Sequence, residues 1–186
     1  MQTVLLLLAA LLAGAPQSGR QLDVAPFVVL GSGRPGSLPA DIDKPDGLEF
    51  VAPGLLLVTD AGNRRIQAWD VRTGSRVCEF GRDVFGGEIT NIAVAPDRTV
   101  YVADSVLNLV YVFRPGKAGV CDYEFVGTRF GEQGYRKLGG ITVDSKGRLY
   151  VVDGKLWEVR RYLPDGKPDP AWRFERTLAG GDTTLQ

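Results

Sequence analysis

The chain has 186 residues, 44% of them hydrophobic and 24% charged, which is ample apolar material for a packed core and unlike a disordered segment. Its 22 Lys and Arg balance 22 Asp and Glu, so composition supplies no broad positive field of the kind that nucleic acid or an anionic membrane would attract, and neither partner is expected. Histidine is absent, which excludes Ser-His-Asp and Cys-His nucleophiles and imidazole-bound zinc within this chain.

The first segment stands apart from the rest. Val4 to Ala13 is almost purely Val, Leu and Ala, too short to span a bilayer, and runs into Ala13-Gly14-Ala15, a small-x-small pattern. Residues 1–18 are expected to be a secretory signal peptide, leaving a secreted or periplasmic protein with no membrane span and no cysteine placed to carry a lipid. After it, Phe27 to Leu30 reads as an isolated early strand.

From there 24 glycines and 11 prolines punctuate short Val/Ile/Leu/Tyr runs, the pattern of many strands joined by turns. The runs repeat. Val58-Thr59-Asp60, Val102-Ala103-Asp104 and Val151-Val152-Asp153 recur at intervals of 44 and 49 residues, as do Leu48, Ile92 and Ile141, then Phe50, Val94 and Val143, and downstream Trp69, Phe113 and Tyr162. A further series, Phe80, Phe125 and Phe174, follows nearly the same step. A period of this length with four short strands per unit is the signature of propeller blades. The first blade reads Gly47 to Val51, Leu55 to Asp60, Arg65 to Asp70 and Arg76 to Phe80. Turns fall at Pro53-Gly54, Pro96-Asp97 and Lys146-Gly147 between first and second strands, and at Thr73-Gly74, Pro115-Gly116 and Asp165-Gly166 before the fourth. Second strands such as Leu55-Leu56-Leu57-Val58 are apolar on both faces, as blades packed face to face require.

These runs, above all Asp60-Ala61-Gly62-Asn63-Arg64-Arg65-Ile66-Gln67 and Ile141-Thr142-Val143-Asp144, resemble NHL repeats, a family that builds six-bladed β-propellers. The resemblance covers residues 27–178 and fades in the third copy, Gly154-Lys155-Leu156-Trp157, which lacks the Asn and Arg. The expected fold is all-β: antiparallel four-stranded blades over residues 19–186, with 27–81 as the first blade and its preceding strand, 82–127 the second and 128–178 the third. Three blades and one strand form an incomplete propeller, consistent with a fragment or with a homodimer that closes the ring. The family includes RNA-binding modules, lyases, hydrolases and interaction scaffolds, so the resemblance implies fold far more sharply than activity.

Asp60, Asp104 and Asp153 end equivalent strands, where a carboxylate caps the following turn; they are read as structural, and Arg65 as packed or paired in the same turn. Cys78 and Cys121 form an even pair that one disulfide would satisfy, but they are read on outermost strands of neighbouring blades, which splay apart, so the pattern disfavours pairing. No metal site is read. Calcium, the one cofactor considered, would need clustered oxygens, for which Asp41, Asp43, Asp46, Glu88 and Asn91 are candidates without ligand spacing. The loops entering each innermost strand, Arg34 to Asp46, Arg82 to Glu88 and Arg129 to Lys137, share one face with the turns at Arg64, Asn108 and Lys155. Asp46, Arg64, Arg82, Glu88, Asn91, Asn108, Lys137 and Lys155 are the ligand-face candidates. The reading is a secreted NHL-like scaffold that binds a protein or small-molecule ligand there. The alternative is a hydrolase, lactonase or phytase-like propeller enzyme using calcium.

Overall fold

Turn residues cut the chain into short antiparallel strands, as the repeat spacing implies. The computed structural model describes residues 29–129 and 134–172. The first blade is β1 (Pro45–Ala52), β2 (Leu55–Asp60), β3 (Arg65–Asp70) and β4 (Ser75–Phe80). The second is β5 (Ile89–Val94), β6 (Val100–Asp104), β7 (Leu109–Pro115) and β8 (Tyr123–Arg129), and the third shows β9 (Leu138–Val143), β10 (Leu149–Asp153) and β11 (Glu158–Tyr162). Each sheet keeps sequence order with neighbouring strands paired antiparallel. Gly54, at φ 80°, makes the β1–β2 turn without the penalty a side chain would meet there. The position expected for a fourth strand in the third blade, around Phe174, lies outside the described residues, as does the segment 1–18.

The innermost strands β1, β5 and β9 adjoin in series, β1 against β5 and β5 against β9. Gly47 permits the first of these approaches: a Cβ there would fall 2.4 Å from the Thr90 carbonyl oxygen. Each blade thus has a leading face toward the preceding blade and a trailing face toward the next. Leu57, Ile66, Ala68 and Phe80 on the trailing face of the first blade pack with Ile92, Val102, Tyr111 and Phe113 on the leading face of the second. The arrangement repeats one blade on, where Tyr101, Ala103, Val110 and Val112 meet Leu138, Leu149, Val151 and Tyr162. Fully burying one such aliphatic side chain contributes about 1.5–3 kcal/mol, so the two interfaces are the main source of stability. A third cluster, Leu56, Val58 and Trp69, lies on the leading face of the first blade beneath Leu30, Ile42 and Val71.

Three expectations are corrected. Val29 and Leu30 form no strand; Leu30 instead covers the Trp69 cluster, and residues 27 and 28 lie outside the described residues. Phe80 and Phe125 are not equivalent: Phe80 opposes Ile66, whereas Phe125 opposes Phe113, the repeat mate of Trp69. The connection before β8 is longer than the turn before β4, which slides the outer strand relative to the repeat. Finally, Cys78 and Cys121 are joined in a disulfide with Cα atoms 6.1 Å apart. Cys121 lies in the β7–β8 connection, not on an outer strand, and that connection approaches β4, where Phe80 stacks on Tyr123 at 4.4 Å between ring centroids.

Candidate functional site

In every blade the start of the innermost strand pairs with the aspartate that closes the second: Pro45 with Asp60, Ile89 with Asp104, Leu138 with Asp153. The entering loops and the turns between second and third strands therefore gather at one end of the arc. The three aspartates are fully buried and anchor this end by different means. Asp104 Oδ1 accepts the Val106 and Leu107 amides at 3.0 and 2.8 Å, and its Oδ2 accepts the Tyr111 hydroxyl at 3.3 Å. Asp153 accepts four amides: Arg136, Lys137, Lys155 and Leu156, at 2.9 to 3.3 Å. Burial opposes the charge on Asp153, but these amides outweigh it and hold the carboxyl below its ordinary range.

Asp60 has the densest surroundings. It accepts the Asp43 amide at 2.7 Å, the Asn63 side-chain amide at 2.8 Å, Gln67 Nε2 at 2.7 Å and Arg65 Nε at 2.6 Å. The buried Arg65 guanidinium then reaches Glu79 at 2.6 Å and donates to the carbonyls of Leu38 and Asp41 at 3.0 and 2.9 Å. Gln67 also donates to the Asp41 carbonyl, Asn63 to that of Gly36, and Arg76 to that of Pro39. Arg65 thus does more than pair within its turn, because with these neighbours it straps the entering loop onto the first blade. Burial alone would raise the Glu79 carboxyl, but Arg82 and Arg65 beside it lower it. The NHL-like motif ran from Asp60 through Arg65 to Gln67; Arg76 and Glu79, on the outer strand, carried no such signal.

Upon these anchors sit the side chains a ligand would meet. Asp46, Arg64, Arg82, Glu88, Lys137 and Lys155 are exposed, while Asn91 and Asn108 are half-buried. Arg82 is paired with Glu79 at 2.8 Å. Asn108 bridges blades, its Oδ1 accepting the Leu138 amide at 2.8 Å. Arg64, Asn108 and Trp157 occupy the same turn position with φ of 51°, 54° and 56°, a left-handed conformation natural for Asn and uncommon for Trp. Val106, Leu107, Leu156 and Trp157 are also exposed in these turns, an apolar component that the charge-based reading missed. Of the calcium candidates, Asp41 accepts the Leu38 amide at 3.0 Å, and among the described residues no three acidic or cysteine side chains gather around a point that could hold a metal ion.

No family model and no curated protein matches the chain. Solved structures do. The β-propeller domain of Myceliophteria thermophila Cps50 (Swd1) aligns with a TM-score of 0.53 at 13% identity, over 67% of this chain and 42% of that one. A catalytically inactive virginiamycin B lyase from Staphylococcus aureus, solved with quinupristin, aligns with a TM-score of 0.56 at 17% identity, over 71% of this chain and 42% of that one. Kuenenia stuttgartiensis hydrazine synthase gives 0.54 at 17% identity, over 76% of this chain and 38% of that one. These likenesses define the class: the chain folds as an arc of β-propeller blades. It spans about two fifths of the length of the structures it matches. No helix among the described residues is long and apolar enough to cross a membrane.

Proposed function

We propose that this protein is an exported NHL-like propeller scaffold whose loop end binds a protein or small-molecule ligand. The observation that carries the reading is the division of labour at that end. Buried carboxylates are committed to the protein's own amides, while exposed Arg64, Lys137, Lys155, Asp46 and Glu88 are held over them on short anchored turns. Rigid scaffolds present binding groups on loops in this way. Export is supported by the apolar N-terminal segment and by the Cys78–Cys121 disulfide, a bond that persists in oxidising compartments.

The test is an array of peptides and oligosaccharides probed with wild-type protein, Arg64→Ala/Lys155→Ala, and Lys146→Ala in the β9–β10 turn at the opposite end. Binding lost in the double variant and kept in Lys146→Ala is the expected result. The reverse pattern would move the site to the other end of the blades.

A further inference from the structure

The internal repeat gives a built-in control for what each blade face requires. Leu48 and Ile92 hold the same position on the leading faces of the first and second blades, yet Leu48 is 64% exposed and Ile92 is 5%. At one trailing-face position, Ile66 and Val110 are both 0% exposed because the next blade covers them, whereas their mate in the third blade, Val159, is 46% exposed. Val152 is likewise open where Thr59 and Ala103 are buried. At these repeat positions the side chain is therefore buried where a blade adjoins and exposed on the outer faces of the arc.

What fits these faces is also shown within the molecule. Both buried interfaces join the trailing face of one blade to the leading face of the next. Among the described residues one leading face, that of the first blade, and one trailing face, that of the third, remain open. On the first, Leu30 and Ile42 cover the Leu56, Val58 and Trp69 cluster and leave Leu48 and Phe50 exposed. On the third, Trp172 lies over Arg161 at 4.6 Å and against Tyr150, leaving Val152 and Val159 open.

We infer that two copies of the chain join head to tail, the third blade of each against the first blade of the other, and close a six-bladed ring. Such a heterologous contact grows into open fibres unless the rotation closes, and three blades from each copy give a number within the usual four to eight. The loop ends of both copies then face the same side, and a ligand site can span the two.

Light scattering on the full chain, from micromolar to near-millimolar concentration, tests this. The expected result is twice the single-chain mass of 20.1 kDa. Leu48→Glu and Val159→Lys each place a charge on an open face and are expected to weaken the dimer at least roughly tenfold. Both positions are exposed in the single arc, so each variant keeps the wild-type circular dichroism spectrum. An equimolar mixture of the two variants restores the dimer, because the pair then has one unaltered interface and one that sets Glu against Lys. A single-chain mass at every concentration overturns the proposal. So do assemblies that grow beyond two copies, and a dimer indifferent to both substitutions.

Discussion

Asp60, Asp104 and Asp153 share one repeat position, yet only Asp60 faces a buried guanidinium. That difference sets what each substitution costs. Asp60→Asn takes from the buried Arg65 one of its two carboxylate partners, leaving Glu79, and loosens the loop over residues 36–43; a loss of about 3–5 kcal/mol is expected in urea unfolding. Asp104→Asn keeps one oxygen for the Val106 and Leu107 amides but sets an NH2 donor where Oδ2 accepted the Tyr111 hydroxyl, with an expected loss of about 1–3 kcal/mol. Equal losses would mean that the Arg65 pairing is not what distinguishes the first blade. Asp153 adds a pH dependence. Its folded carboxyl lies below the ordinary value, so its contribution is complete above about pH 4 and is lost as pH falls through the lower, folded value. The thermal midpoint is therefore expected to be flat from neutral pH to about pH 5 and to fall below about pH 4, less steeply in Asp153→Asn. The period exposed these aspartates in the sequence. Their differing partners were hidden because four of the acceptors around Asp60, Arg65 and Arg76 are backbone carbonyls of Gly36, Leu38, Pro39 and Asp41, groups that every residue carries.

At the scale of elements, the strands that pack between blades were legible and the outermost ones were not. In the first two blades the second and third strands bury both faces, and their apolar positions stay in step from copy to copy. An outer strand pairs on one side only, and its connections vary in length, so Phe125 slips out of register with Phe80. The same variation accounts for the disulfide. The β7–β8 connection folds back on itself, the Gly116 amide donating to the Asp122 carbonyl at 2.6 Å and the Ala118 amide to the Asp122 carboxylate at 2.7 Å, and so delivers Cys121 to β4. The bond joins two blades across a sequence separation of 43. Closing a loop of that length restricts the unfolded chain, and Cys121→Ser is expected to lower stability by about 2–4 kcal/mol. Wild-type protein unfolded with and without a thiol reductant should show the same difference, whereas no difference would mean that the Phe80–Tyr123 packing holds the outer strands together unaided.

For the whole molecule, the blade count and all-β architecture were readable because period and strand pattern agree, but which faces lie open depends on where each loop folds. Leu30, Ile42 and Trp172 cover parts of the outer faces, and nothing in their local sequence says so. What stays uncovered governs how the folded chain responds to its own concentration. A chain that folds alone has a thermal midpoint independent of concentration. One whose native form pairs is stabilised by mass action, since pairing draws on the folded state only. For a chain of this length the midpoint should rise by about 2 °C per tenfold increase in concentration. In Leu48→Glu it should stay level, because the Glu side chain disfavours the pairing while the two inter-blade cores that fold the arc remain intact. A wild-type midpoint as flat as that of the variant would show that the folded chain does not pair and that its open faces, Leu48 included, stay uncovered.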